Sequence, residues 1–65
     1  LTLCRRIRAL RDYHGFTQLK VAERLGISQA AYSRLEKGEV ELSVIKLIAI
    51  CEIYDVILQD LLRDI

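Results

Sequence analysis

The 65-residue sequence contains no proline, no internal repeat and no low-complexity segment. Its apolar runs fall far short of the roughly 18 residues that a membrane-spanning helix needs, and no secretory signal pattern is visible. We therefore expect one small domain, residues 1–65, located in the cytoplasm and without a membrane partner. The first residue is Leu1 rather than methionine, which leaves open whether the domain belongs to a longer chain.

Cysteine and histidine are scarce, with only Cys4, Cys51 and His14 present. The cysteines stand far apart, neither belongs to a Cys-x-x-Cys pair, and one histidine cannot complete a zinc set with them. We expect two reduced thiols packed as small hydrophobic side chains, and a disulfide between helices 1 and 4 is the alternative. No nucleophile or carboxylate is spaced around His14, and the chain is too short to enclose a substrate pocket. The sequence therefore predicts no metal, no cofactor and no enzymatic activity.

The net charge is only +1, but the two halves of the chain differ in sign. Residues 1–37 contain eight basic and three acidic residues, whereas residues 38–65 contain two basic and six acidic ones. A one-sided excess of positive charge suits an approach to a polyanion, although small domains also acquire it by chance. The first half is therefore the half expected to meet nucleic acid.

No segment alternates between apolar and polar residues with the period of a strand, so the sequence predicts an all-α fold. Apolar residues recur instead at helical spacing, and Thr17, Ser28 and Ser43 stand where helix N-caps are expected. Helices 1 to 3 are expected to end at His14-Gly15, Gly26 and Gly38. The five predicted helices are helix 1 over about 2–13, helix 2 after Thr17, helix 3 over 28–37, helix 4 from Ser43 to about Tyr54, and helix 5 over 58–63.

The segment Gln18–Lys37 has the pattern of two short helices joined by a tight turn. Val21, Ala22 and Leu25 fall on one face of the first of these helices. Gly26 follows at once, where a left-handed backbone is favourable only for glycine. Such a pair can place its second helix in the major groove of DNA. On that helix the residues predicted to turn inward are Tyr32 and Leu35, and those predicted to turn outward are Gln29, Ala30, Ser33 and Arg34.

With this pattern the chain resembles the phage repressor/Cro-type, or XRE-like, helix-turn-helix domains of prokaryotic regulators. The resemblance covers nearly the whole chain and implies a compact five-helix, lambda-repressor-like domain in which helices 2 and 3 form the helix-turn-helix. It also implies sequence-specific binding of double-stranded DNA, and an ion pair between Arg11 and Glu36 that ties helix 1 to the end of helix 3. The matching residues are Arg11, Phe16-Thr17-Gln18, Gly26-Ile27-Ser28-Gln29, Ser33-Arg34-Leu35-Glu36-Lys37-Gly38, Leu42-Ser43 and Tyr54-Asp55-Val56.

Two sets of residues are candidates for contact with DNA. The outward face of helix 3 is expected to read base edges, because glutamine pairs with adenine, arginine with guanine, and an alanine methyl suits a thymine methyl. Gln18 can hold a phosphate at the N-terminus of helix 2, and the resemblance adds contacts at the two ends of helix 3. The expected base contacts are Gln29, Ala30, Ser33 and Arg34, and the expected phosphate contacts are Gln18, Ser28, Lys37 and Gly38.

Two features depart from the pattern of the resembled family. Glu39 and Glu41 follow helix 3 where carboxylates weaken binding to phosphate, so either that loop lies off the DNA or affinity depends on dimerisation. Helix 4 is apolar on nearly every side, and such a helix is either buried all round or meets a partner. Its expected core face comprises Val44, Leu47, Ile50, Cys51 and Tyr54, and the expected partner face comprises Ile45, Ala49, Ile53 and, beyond the helix, Ile57.

Two classes of function agree with these features. The first is a repressor-type transcriptional regulator that binds a palindromic operator as a homodimer, through helix 4 and the start of helix 5. The second is a protein-interaction module, such as an antitoxin that holds a toxin or another partner protein through helices 4 and 5. The apolar partner face would serve either class, or it would pack under a further segment of a longer chain.

Overall fold

Short connections join five helices in the computed structural model, which describes residues 2–63. The helices are α1 (Thr2–His14), α2 (Gln18–Leu25), α3 (Gln29–Glu36), α4 (Val44–Tyr54) and α5 (Leu58–Leu61). Among the described residues there is no strand, and the prediction of an all-α fold with five helices is confirmed. α1 includes His14, one residue more than predicted, while α5 ends at Leu61 rather than Arg63.

Hydroxyl side chains cap the N-termini of three helices, as their sequence positions predict. Thr17, Ser28 and Ser43 all have extended backbone angles immediately before α2, α3 and α4. Each hydroxyl oxygen accepts the backbone N–H three residues further on at 3.1 Å. A cap of this kind stabilises its helix by about 1 kcal/mol because it satisfies a donor that has no partner within the helix. These caps therefore fix where the helices begin.

Within residues 2–63, left-handed backbones follow the ends of four helices, at Gly15, Gly26, Gly38 and Asp55. Gly26 ends α2 at φ 72°, and the N–H of Ile27 then donates to the carbonyl of Ala22 at 3.0 Å, which closes the turn into α3. Asp55 ends α4 at φ 55°. The sequence predicted the glycine turn, but it indicated only a break at Asp55, because aspartate adopts the left-handed region occasionally rather than by default.

The core lies where all five helices meet. Ile7 of α1, Val21 of α2, Tyr32 of α3, Ile50 of α4 and Leu61 of α5 are each at most 2% exposed. Complete burial of a large apolar side chain contributes roughly 1.5–3 kcal/mol to folding. These contacts therefore stabilise helices that are too short to be stable in isolation. The other buried core residues are Ala22, Leu35, Leu47, Cys51 and Tyr54.

The orientation of α4 differs in part from the sequence-based expectation. Val44, expected in the core, is 62% exposed, and Ile48, which was assigned to neither face, is 45% exposed. Ile53, expected on the partner face, packs instead against the core and is only partly exposed. The expectation of a core position was wrong at Val44, because a helix that is apolar on every side carries no periodic signal to orient it. In the described part of the chain, no helix is long and apolar enough to cross a membrane.

Both cysteines are free thiols. Cys51 is buried in the core and Cys4 is half-buried, with its Sγ 3.5 Å from the carbonyl oxygen of Leu35. Burial raises the pKa of the Cys51 thiol, which keeps it in the protonated, unreactive form at neutral pH. The disulfide alternative between α1 and α4 therefore does not apply.

Candidate nucleic-acid interface

α3 is attached to the domain by one side only. Tyr32 and Leu35 are fully buried on that side, against Val21 and Ala22 of α2, which are also fully buried. The turn at Gly26 sets the angle between the two helices, and the Ser28 cap fixes the first residue of α3. The opposite side of α3 is consequently free for a ligand.

The structure places the predicted contact residues in two groups. Gln29, Ala30 and Arg34 are exposed on the outward side of α3, whereas Ser33 is partly buried and lies closer to the body of the domain. At the two ends of α3, Ser28, Lys37 and Gly38 are exposed. The fourth predicted phosphate contact, Gln18, is half-buried at the first position of α2.

A nearly buried ion pair joins α1 to the end of α3. Nε of Arg11 donates to Oε2 of Glu36 at 2.7 Å, and Nη2 donates to Oε1 at 3.2 Å. The side chains are 12% and 4% exposed, so the pair is shielded from solvent. Nη1 of the same guanidinium donates to the carbonyl of Phe16 at 2.9 Å, in the loop before α2. A two-bonded pair of this kind fixes geometry as well as contributing energy, and here it fixes the end of α3 relative to α1.

Two further side chains donate to the same carboxylate. The hydroxyl of Tyr32 donates to Oε2 of Glu36 at 2.6 Å, and Nε2 of Gln18 donates to Oε1 at 3.1 Å. Glu36 therefore receives hydrogen bonds from α1, α2 and α3. Sequence reasoning missed both donors. The spacing of Tyr32 and Glu36, four residues apart on one helix, was the available signal for the first, but no local pattern indicates the second.

The hydrogen bonds decide the ionisation of this cluster. Burial by itself raises the pKa of Glu36, but hydrogen bonds from Arg11, Tyr32 and Gln18 outweigh burial and hold that pKa below the ordinary value of 4.5. The hydrogen bond to Glu36 raises the pKa of Arg11, and burial together with the same carboxylate raises the pKa of Tyr32. At neutral pH the cluster is therefore a glutamate anion held by a guanidinium cation and two neutral donors.

Comparison with known proteins agrees with this geometry. A helix-turn-helix family model matches residues 7–61. The chain belongs to the XRE-type helix-turn-helix family. A protein of Pyrococcus furiosus, provisionally named an HTH-type transcriptional regulatory protein, is 40% identical over 50 residues, which cover 77% of this chain. The match covers 16% of that relative, so the chain spans only a small part of its length, and no solved structure matches significantly.

This helix-turn-helix domain has an acidic edge directly after α3. The N–H of Gly38 donates to the carbonyl of Leu35 at 3.1 Å, and that of Glu39 donates to Arg34 at 2.9 Å, so the loop starts against the end of the helix. Glu39 and Glu41 are both exposed. The predicted phosphate contact at Lys37 and Gly38 therefore lies immediately beside a carboxylate in the chain.

One of the basic residues of α1 has a structural role that the sequence did not reveal. Nη1 of Arg6 donates to the backbone carbonyl of Leu61 at 2.9 Å and also to that of Arg63. A cation at this place satisfies carbonyl groups that the short helix α5 leaves without partners. Arg6 thus fastens α5 to α1, while Arg5 and Arg8 on the same helix are exposed.

Proposed function

We propose that this domain binds double-stranded DNA sequence-specifically, with α3 in the major groove, as the DNA-binding part of a repressor-type transcriptional regulator. One observation carries the proposal: the inward side of α3 is fixed in the core, while its outward side presents Gln29, Ala30 and Arg34 to solvent. Membership of the helix-turn-helix family and the name of the Pyrococcus furiosus relative support it.

Base reading falls to the outward side of α3. Gln29 is the first residue of the helix, and N-terminal residues of a recognition helix approach base edges most closely. Its amide matches the donor and acceptor pair of adenine, and the guanidinium of Arg34 matches the two acceptors of guanine. The methyl of Ala30 suits thymine, and the hydroxyl of Ser33, which is partly buried, would add one hydrogen bond. Each two-bonded pair discriminates between bases by about 1–3 kcal/mol.

Phosphate anchoring falls to the ends of α2 and α3. The first N–H groups of α2 have no partner within the helix, and the positive end of the helix favours an anion. The Ser28 hydroxyl accepts the N–H of Ala31, which leaves its own proton for a phosphate oxygen. Lys37 supplies a full positive charge at the other end of α3, and the N–H of Gly38 is already used within the turn. Such contacts set the register of the protein without reading sequence.

The proposal includes a homodimer, and its contact lies on α4. We define the α4 apolar face as Val44, Ile45 and Ile48, which fall on one side of the helix and are 62%, 80% and 45% exposed. Ile57, at the start of α5, is 60% exposed. Large exposed apolar side chains grouped on one side of a helix are typical of a contact surface. The proposed contact comprises Ile45 and Ile57, which the sequence predicts, together with Val44 and Ile48. Ala49 lies at its border, and Ile53 packs on the core.

A second candidate function rests on the same face. The α4 apolar face follows the acidic loop that contains Glu39 and Glu41, and Glu52 is exposed one turn beyond Ile48. This combination also suits a different protein that presents basic residues around an apolar stripe, such as a toxin held by an antitoxin. A homodimer would leave the carboxylates of two copies close together, which costs electrostatic energy that a basic partner would not incur.

Selection from a random duplex pool, followed by a mobility-shift assay, tests the proposal. We expect enrichment of a short two-fold-symmetric motif and loss of the shift when Gln29, Ser33 and Arg34 are all replaced by alanine. The matched control replaces Arg5, Arg8 and Glu52, which are exposed on α1 and α4 and whose replacement changes the net charge by the same amount. A pool that returns no motif, together with equal retention of both variants, would contradict sequence-specific binding.

A further inference from the structure

The amide of Gln18 has its orientation set by the protein. Nε2 lies 3.1 Å from Oε1 of Glu36, and an ionised carboxylate only accepts hydrogen bonds, so the amide nitrogen and not its oxygen faces inward. Glu36 is itself immobilised by two hydrogen bonds from Arg11 and one from Tyr32. Gln18 therefore bonds to a group that cannot turn away.

This hydrogen bond joins two places that are far apart in sequence. Gln18 is the first residue of α2, and Glu36 is the last residue of α3, next to Lys37. The turn at Gly26 already links the C-terminus of α2 to the N-terminus of α3. The bond between Gln18 and Glu36 closes the opposite end, so that the two helices are tied at both ends of the pair.

We infer that Gln18 is a positioning residue: through Glu36 it holds the N-terminus of α2 and the Lys37-Gly38 end of α3 at a fixed separation. The inference rests on the proposed function, since these are the two segments expected to grip phosphates. Phosphates along a duplex are regularly spaced, and a fixed separation between two anchoring points avoids an ordering cost on binding. The second N–H of the Gln18 amide makes no hydrogen bond within residues 2–63 and remains for a phosphate oxygen.

The first test measures whether the two anchoring segments act together on a selected operator. Gln18→Ala and Lys37→Ala should each weaken binding about tenfold, the size of one hydrogen bond to a charged group. If Gln18 positions Lys37, the double variant should lose about thirtyfold rather than the product of the two, because Gln18→Ala has already loosened the Lys37 contact. Lys20→Ala combined with Lys37→Ala is the matched control, since Lys20 is exposed on α2 and donates no side-chain bond to Glu36. In that control pair, the loss of affinity should equal the product of the two single losses.

The second test needs no DNA. In the free protein, the side-chain amide signals of Gln18 should shift with acid along the same titration curve as the Glu36 carboxyl carbon in nuclear magnetic resonance. Asp12 contacts Arg11 at 3.7 Å and is the other nearby carboxylate, so the measurement is repeated in Asp12→Asn. The groups facing Glu36 from the packed helices are Arg11, Gln18 and Tyr32, and none of these changes charge in the acid range.

The two tests separate the inference from the proposed function. Amide signals of Gln18 that stay constant while Glu36 titrates would overturn the inference, whatever the protein binds. Multiplicative losses in the Gln18 and Lys37 double variant would also overturn it. A protein that binds no duplex, yet shows the shared titration curve, would refute the proposed function and leave Gln18 as a tie between α2 and α3.

Discussion

Arg34 is the one exposed cation of α3, Gln29–Glu36, so its replacement changes a single charge on the outward side of that helix. Arg34→Ala should reduce affinity for the selected operator by about 1–3 kcal/mol and relax preference at one base position. Repeating the duplex selection with the variant measures both effects. Lys46→Ala, which removes one exposed positive charge from α4, is the control and should leave the selected motif intact. An identical motif from Arg34→Ala would exclude Arg34 from base reading.

The ionisation of Glu36 makes the free energy of unfolding depend on pH in a defined direction. Because its pKa in the folded protein lies below the ordinary 4.5, the cluster contributes its full stability above that value. The free energy of unfolding should then fall as the pH drops through the lower, folded pKa, since protons bind preferentially to the unfolded chain. Urea unfolding at a series of acid pH values measures this slope.

Replacing Glu36 tests whether its carboxylate causes this pH dependence of stability. Glu36→Gln should flatten the pH dependence in the acid range while lowering stability at neutral pH, because the buried guanidinium of Arg11 loses its counter-charge. Glu41→Gln, at an exposed position, should leave the slope nearly unchanged. Equal slopes in the Glu36→Gln variant and the parent protein would mean that other carboxylates govern acid unfolding.

At the scale of the element, substitutions on α4 can distinguish a loss of association from a loss of folding. Ile45 is 80% exposed, so Ile45→Glu should leave the monomer folded, whereas Ile53 packs on the core and Ile53→Glu should unfold it. In a homodimer, losing the burial of Ile45 costs roughly 1.5–3 kcal/mol of association energy. Sedimentation should show the parent as a dimer and Ile45→Glu as a monomer, and circular dichroism should show that the variant keeps the helix content of the parent.

The same experiment decides between a second copy and a different partner. If the parent protein is a monomer at high concentration and Ile45→Glu sediments in the same way, the homodimer is contradicted. That result would favour a different partner protein that presents basic residues around an apolar stripe. Ile57→Glu, at a position that is 60% exposed at the start of α5, then shows whether the contact extends beyond α4.

At the scale of the whole molecule, size limits what one copy can do. The domain measures 29 × 23 × 20 Å, less than one turn of the double helix at about 34 Å. A single recognition helix reads only a few base pairs, and the proposed homodimer would add a second one in the next major groove. Inserting half a helical turn, about 5 base pairs, between the half-sites should abolish cooperative binding, and inserting a full turn should restore part of it. Equal affinity for all spacings in a mobility-shift assay would indicate independent monomers.

Local chemistry determines where most of the helices of this protein begin and end, independently of tertiary contacts. Thr17, Ser28 and Ser43 cap the helices that they were predicted to cap, and Gly26 has the left-handed backbone of the predicted turn. These caps and this turn depend on residues within four positions of one another, so a short stretch of sequence is enough to predict them. The outward direction of Gln29, Ala30 and Arg34 follows equally from the period of a helix whose other side is apolar.

Tertiary structure alone decided which way α4 faces and what Gln18 contacts. α4 is apolar all round, so only packing against the other helices turns Val44 outward and Ile53 inward. The bond between Gln18 and Glu36 spans 18 residues and depends on the angle between α2 and α3. A sequence specifies such a contact only through the complete fold, because the energy that selects it comes from distant side chains meeting in one buried cluster.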